Sequence, residues 1–383
     1  MVLTVALILM ALGLVILYSA SAITAAKRYN DEAFFLRKQA LWACLAIVVM
    51  LAAARIDYHV WEKWSPWMFG IGLALLALVL IPGIGVVVNG ARRWLRFSEI
   101  SFQPSEFARL ATLFFIARLL SRTKELSFTR GFLPFFLLGS TAVGLIAIEP
   151  DIGNAMLLAV LMLTLFVAGG AKMGHLLPMC GAGALGLALI ALVKFDHVAR
   201  RLKAFLEPEA DPLGISYQLN QSLIAIGSGG LLGTGLGQGV QKLLYLPEPH
   251  SDFILAILGE ELGFVGCLAV LGLFGTLAVV GAKIARRAPD RFGALLAMVL
   301  TWMVVLQACI NIGVVTGCLP TKGMPLPFMS AGGTSLVFTC LAMGILINIG
   351  SGLTEGGTNG KQSGGETPVS RTPMESKSSA TAR

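Results

Sequence analysis

Residues 2–23 read Val-Leu-Thr-Val-Ala-Leu-Ile-Leu-Met-Ala-Leu-Gly-Leu-Val-Ile-Leu-Tyr-Ser-Ala-Ser-Ala-Ile, a run without a charged side chain. A helix of that length rises roughly 33 Å at about 1.5 Å per residue, enough to cross a hydrocarbon core of about 30 Å. The run lacks the basic flank of a signal peptide, so it is expected to remain as a first membrane span. Working outward, similar apolar runs occur at about residues 39–54, 66–88, 105–120, 131–149, 152–171, 174–194, 252–282, 293–317 and 329–349. Hydrocarbon requires every backbone N–H and C=O to be paired within the protein, so these ten runs predict an all-α polytopic membrane protein with about ten transmembrane helices.

The composition agrees. The chain is 56% hydrophobic and 13% charged, with mean hydropathy +0.80, against about 45–50% and 25% in soluble domains. Its net charge of +8 lies in short clusters between apolar runs, with no nucleic-acid motif. Topology and lipid headgroups account for those clusters, and no nucleic-acid partner is expected. Cys44, Cys180, Cys267, Cys309, Cys318 and Cys340 all fall in apolar stretches. They read as small buried hydrophobes, without a disulfide or metal cluster.

Loops around 24–38, 89–104, 195–251 and 318–328 share one side. Those around 55–65, 118–130, 283–292 and the C-terminal tail share the other. Lys and Arg favour the second set once the long loop is set aside, which places both termini in the cytoplasm. Trp61, Trp64 and Trp67 suit an aromatic belt. Residues 351–383 are polar, without periodicity, and are expected as a disordered cytoplasmic tail behind a membrane domain of residues 1–350.

The loop 195–251, between helices 7 and 8, is too long for a simple connector. Tyr217–Ile226 has the pattern of an amphipathic helix lying at the interface, with Leu219, Ser222, Leu223 and Ile226 along one side. The glycines from 227 to 239 would either expose N–H groups around an anion or form a flexible hinge. Asp252 then opens an apolar run, where a carboxylate either caps the helix or does chemistry. Glu260 and Glu261 would lie roughly 12 Å further along a continuous helix, facing protein because a charge in lipid is costly. Glu106 and Arg109, three apart, can pair on one helix face. Asp151, after Pro150, marks a reversal between helices. Arg92, Arg93 and Arg96, and Lys322, put positive charge on the translocated side, as a phosphate site would require.

Asn89-Gly-Ala-Arg-Arg-Trp-Leu, Phe102-Gln-Pro-Ser-Glu106, Glu149-Pro-Asp-Ile-Gly, Asp211-Pro-Leu-Gly, Tyr217-Gln-Leu-Asn-Gln-Ser, Leu246-Pro-Glu-Pro-His-Ser-Asp-Phe-Ile254, Gly259-Glu-Glu-Leu-Gly263 and Pro325-Leu-Pro-Phe occur in order along residues 1 to 350. This set resembles the SEDS (shape, elongation, division and sporulation) family. Gln241-Lys242 and Pro320-Thr-Lys322-Gly are similar to its division branch, FtsW. Gly227-Ser-Gly-Gly230 leans toward the elongation branch, RodA. Arg109 stands where many relatives have Lys, and Met329-Ser-Ala331 replaces Ile-Ser-Tyr.

The resemblance implies a peptidoglycan glycosyltransferase that polymerises lipid II on the outer face of the cytoplasmic membrane. Asp252 would be the general base, with Glu248 and His250 orienting it. Lys242, Lys322 and Arg201 would hold the diphosphate, and Gln218 and Gln221 would bind substrate. Arg109 and Asp151 would form a buried pair shaping the cavity, and grooves between helices would take the undecaprenyl chains. No cofactor is obligatory, with Mg²⁺ or Mn²⁺ as an optional helper. A single-span class B penicillin-binding protein is the implied partner, beside other divisome or elongasome membrane proteins. Two other readings stay open on the residues alone: a lipid II flippase and a non-catalytic division scaffold.

Overall fold

The computed structural model describes residues 1–88, 91–97, 100–193, 205, 216–243, 251–320 and 323–359. Each of the ten apolar runs contributes a helix. They are α1 (Val2–Tyr29), α2 (Phe34–Arg55), α3 (Tyr58–Leu80), α4 (Pro104–Arg122), α5 (Leu133–Ile148), α6 (Ile152–Ala168), α7 (Met173–Val193), α9 (Ile254–Arg287), α10 (Arg291–Val315) and α11 (Gly333–Asn359). Between α7 and α9 lies α8 (Tyr217–Gly229), the helix expected within the long loop. By length and composition α1, α2, α3, α9, α10 and α11 can each cross a membrane, and α5 and α6 are shorter apolar helices. The described part of α11 passes residue 350, and residues 360–383 of the expected tail lie outside the described residues.

Two runs depart from the sequence reading. The third was expected to stay helical to residue 88, but α3 ends at Leu80, just before Pro82-Gly83. Pro and Gly both disfavour continuing a helix, and the β-branched Val86-Val87-Val88 that follows suits a strand. β1 (Gly85–Val88), β2 (Ala91–Phe97) and β3 (Ile100–Phe102) form a small antiparallel sheet in the order β1-β2-β3. Its register pairs Val86 with Trp94 and Leu95 with Phe102. The eighth run is broken: Gly263, at φ 67° and ψ −164°, separates a half-helix, Ile254–Leu262, from the rest of α9. About 24 residues from Phe264 to Arg287 rise roughly 36 Å, so the second piece is long enough to cross a bilayer by itself.

α4 lies at the centre, against α3, α5, α6, α10 and α11. Because protein surrounds it, α4 can carry Glu106, Arg109 and Thr112 fully inside the bundle. The cysteines correct their reading as buried hydrophobes: Cys44, Cys180, Cys309 and Cys318 are exposed, Cys267 is half-buried and Cys340 alone is buried. An apolar helix face turned to lipid is apolar without being inside the protein.

Contacts join helix ends that the sequence places on one side. At one end Tyr58 donates to Asp290, and Arg291 donates to the carbonyls of Thr123 and Gly169, each at 2.7 Å. Asn348 donates to Ala54 O at 3.0 Å at that same end. At the other, Gln39 donates to Ser330 O (3.2 Å), and Gln103 reaches Asp151. That second end holds the polar residues of interest.

Candidate active site

Asp252 is half-buried, two residues before the half-helix Ile254–Leu262. The N-cap position falls on Phe253, whose side chain offers no cap. Ser251 Oγ donates to Asp252 Oδ1 at 3.1 Å. Asn311, on α10, holds the backbone: its Nδ2 donates to Asp252 O at 2.9 Å and to Met324 O at 2.7 Å. One turn earlier, Gln307 donates to Pro325 O at 3.0 Å. These two amides fasten residues 324 and 325 beside the carboxylate. Gly323 completes the approach, since a Cβ there would stand 2.7 Å from Asp252 Oδ2. A side chain there would have to displace the carboxylate from its place.

The half-helix is held from behind. Glu261 accepts from Lys242 Nζ at 2.7 Å and from Ser19 Oγ at 2.5 Å, and Lys242 Nζ also donates to Ser19 Oγ at 2.7 Å. Lys242 is 6% exposed and Glu261 1%. This corrects the reading of Lys242 as a diphosphate-holding cation, because its ammonium is enclosed and committed to a carboxylate. Glu260 accepts from the backbone N–H groups of Val240 (2.6 Å) and Gln241 (3.2 Å). The N–H groups near the glycine-rich stretch therefore do receive an anion, and that anion belongs to the protein. Thr234 N and Gly235 N donate to the carbonyls of Glu260 and Glu261, while Phe264 N and Val265 N donate to Gly230 O and Leu231 O. The groups freed by the break at Gly263 thus find partners in the loop. A Cβ on Gly233 would lie 2.1 Å from Glu261 O, which explains the glycine.

A third polar group surrounds the turn between α5 and α6. Asp151 caps α6, accepting from Asn154 N at 3.3 Å. Its other oxygen accepts from Asn154 Nδ2 (2.9 Å) and Gln103 Nε2 (3.0 Å), and Arg93 of β2 stands 3.8 Å away. Arg109 pairs with Glu106 at 2.5 Å, as their spacing predicts, and donates to Asn154 Oδ1 at 2.8 Å. The expected direct pair of Arg109 with Asp151 is therefore corrected: Asn154 bridges them. Glu149, fully buried in the same turn, has no hydrogen-bond partner for either oxygen among the described residues.

On α8, Gln218 and Gln221 are half-buried, and Ser222 donates to Val315 O at 2.8 Å. Of the residues expected along one side of this helix, Leu219 and Ser222 are buried and Leu223 is 41% exposed. Glu248, His250, Arg201 and Lys322 lie outside the described residues. An apolar groove of about 460 Å³ runs between α5, α6 and α7, lined by Phe136, Val143, Met156, Leu163, Met179 and neighbouring small residues. The sequence reading missed Asn311, Gln307, Gln103 and Asn154 as site residues. Gln307 and Asn311 carried a usable signal, since two amides four residues apart in an apolar run share one helix face.

The fold and these clusters define a multi-pass α-helical membrane protein with a carboxylate-centred polar site at one end of its bundle. The chain belongs to the FtsW/RodA/SpoVE family, whose model, described as a cell cycle protein, matches residues 1–354. It is 42% identical over 351 residues to a protein of Trichlorobacter lovleyi named probable peptidoglycan glycosyltransferase FtsW, covering 91% of this chain and 92% of that one. It is also 42% identical over 350 residues to stage V sporulation protein E of Bacillus subtilis, covering 90% and 94%. Among solved structures it is similar to one described as structural coordination of polymerization and crosslinking by a peptidoglycan synthase complex. That match has TM-score 0.76 and 26% identity, over 92% of this chain and 97% of the other. It is similar too to the rod shape determining protein RodA of Thermus thermophilus, with TM-score 0.69, 26% identity, and 91% and 95% coverage.

Proposed function

We propose that this protein is a peptidoglycan glycosyltransferase of the FtsW branch, joining lipid II units through β-1,4 bonds with release of undecaprenyl diphosphate. Relatives that match nearly their whole length carry that activity in their names. The observation that carries the reading is the half-buried Asp252 carboxylate, with its backbone fixed by Asn311 and Gly323 packed against Oδ2.

In the reaction the acceptor's sugar 4-hydroxyl gives its proton to Asp252 as its oxygen attacks the donor's anomeric carbon. The bond to the lipid-linked diphosphate breaks, and the electron pair leaves on a phosphate oxygen. A diphosphate is already a good anion, so cations can take the place of the acidic carboxyl in a glycosidase pair. Lys322, next to Gly323 in the chain, and Arg201 are the proposed cations; Lys242 is not among them. Glu248 and His250 are proposed to orient Asp252, and Gln218 and Gln221 to contact the sugars. The apolar groove between α5, α6 and α7 is the proposed seat of an isoprenyl chain.

No obligatory cofactor is proposed. Asp252 and Ser251 offer a divalent cation one carboxylate and one hydroxyl, a donor set that fits Mg²⁺ or Mn²⁺ carried mainly by diphosphate oxygens and waters. The site is proposed to face the extracytoplasmic side, with both termini in the cytoplasm and the reaction confined to the membrane domain, residues 1–350. A single-span class B penicillin-binding protein is the proposed partner, along with other divisome or elongasome membrane proteins. The similar synthase complex, described as coordinating polymerization with crosslinking, supports a partner of that kind.

The test is polymerisation of purified lipid II by the reconstituted protein, with and without a class B penicillin-binding protein. Asp252→Asn should fold and lose about 10²–10⁴ in rate, the usual contribution of a general base. If instead wild type and variant both move lipid II across sealed vesicles and neither makes glycan strands, the protein is a flippase.

A further inference from the structure

The turn between α8 and the clamp residue Lys242 presents an unusual surface. Leu231 is 72% exposed, Leu232 81% and Leu236 54%. From Gly229 to Val240 the sequence contains no charged residue. In water such a loop would normally carry polar side chains and leave its backbone to solvent. Here several of the backbone groups are bonded internally. Gly233 N donates to Gly229 O, Thr234 N and Gly235 N donate to carbonyls of the half-helix, and Gln238 N donates to Gly235 O. The carbonyls of Gly230 and Leu231 accept from Phe264 and Val265. That degree of internal pairing is what a non-helical segment needs where water is scarce.

The same two bonds fix where the leucines lie. Phe264, Val265 and Leu268 are 60%, 54% and 56% exposed and begin the piece of α9 long enough to cross the bilayer. At its other end that piece carries Lys283, Arg286 and Arg287. Counting about 30 Å of hydrocarbon from those charges brings the opposite boundary close to Phe264. Leu231 and Leu232 therefore extend the lipid-facing surface of α9 sideways at the level where acyl chains meet headgroups.

We propose that the Gly230–Leu236 turn is a membrane anchor, whose leucines insert into the acyl-chain edge of the leaflet nearest Asp252. Through the bonds to Glu260 and Glu261 it sets the height of the half-helix that follows Asp252 relative to the lipid headgroups. The occupant is bilayer hydrocarbon, because the surface continues the lipid-facing side of α9, is uncharged and has the N–H groups of Gly233, Thr234 and Gly235 and the carbonyls of Gly230 and Leu231 already paired. This inference needs only a membrane protein and stands apart from the catalytic reading.

The test is tryptophan fluorescence of the full chain, one copy per nanodisc, with Leu232→Trp and Leu231→Trp as separate variants that keep the wild-type melting temperature. The emission added over wild type should be quenched at least twofold by lipids brominated near the top of the acyl chain, and little by aqueous acrylamide. Strong quenching by acrylamide with none by brominated lipid would overturn the anchor in favour of a solvated loop. Protection from both quenchers would overturn it in favour of a protein-covered surface.

Discussion

Lys242 and Glu261 are buried together at 2.7 Å, and each has lost its water. Replacing Lys242 by Met leaves the Glu261 carboxylate enclosed without its cation, a change that typically costs about 3–5 kcal/mol. Removing both charges, as in Lys242→Met with Glu261→Gln, should recover much of that loss, since an apolar pair is often as stable as a buried ion pair. Unfolding of the three variants in detergent checks this. A Lys242→Met protein as stable as wild type would show the ammonium to be dispensable. Such pairing is what the sequence conveyed least. Glu106 and Arg109 are three apart on one helix, so their contact follows from helix geometry. Lys242 and Glu261 are 19 residues apart, one before the half-helix and one within it, and no local periodicity relates them. Asp252 could be singled out because a carboxylate opening an apolar run is conspicuous. Asn311 could be marked only as polar, on the same helix face as Gln307, because an amide inside a span looks the same whether it binds a ligand or a loop carbonyl.

The helices were legible from their apolar runs, but not all of their ends: α3 spans Tyr58–Leu80 where residues 66–88 were expected, and α11 runs to Asn359 where residue 349 was expected. The β-sheet was not, because Val86-Val87-Val88 continues the hydrophobicity of α3 and only Pro82-Gly83 marks the change. The break in α9 was hidden for the opposite reason: Gly263 is one glycine in a long apolar run, and its conformation is decided by the loop packed on it. Gly233→Ala tests that packing. Its φ of +83° and the carbonyl 2.1 Å from the new Cβ should cost roughly 2 kcal/mol or more, lowering the melting temperature, whereas Gly227→Ala meets open space and should be nearly neutral. At the start of α3, Asp57 accepts from His59 N at 3.0 Å. That backbone bond holds its carboxyl below the ordinary range, aided by the His59 side chain and opposed by burial. Asp57→Ala should cost about 0.5–2 kcal/mol at neutral pH. A carboxyl lowered on folding stabilises fully above its unfolded pKa, about 3.9, and ceases to do so as pH falls through the lower folded value. The gap between wild type and variant should therefore narrow in acid, as melting curves at pH 7 and pH 3 will record.

Across the whole molecule, Arg291 ties the start of α10 to the ends of α4 and α6 through the carbonyls of Thr123 and Gly169. Charged hydrogen bonds of this kind contribute about 1.5–3 kcal/mol, discounted here because Thr123 is reached near the surface. Arg291→Ala should lower the detergent melting temperature while leaving the Asp252 end of the bundle, and the rate per folded molecule, unchanged. A fall in that rate would show the two ends to be coupled. The break at Gly263 has its own bearing on such coupling. A straight α9 would act as a rigid strut, tilting as the bilayer thickens or thins and swinging Asp252 with it. The loop is bonded to both sides of the break, to the carbonyls of Glu260 and Glu261 before it and to the N–H groups of Phe264 and Val265 after it, so the bend does not uncouple the two pieces. A tilt of the membrane-crossing piece should then carry the half-helix and Asp252 with it, and glycan synthesis should vary with acyl-chain length, as rates in vesicles of different lipid thickness will record.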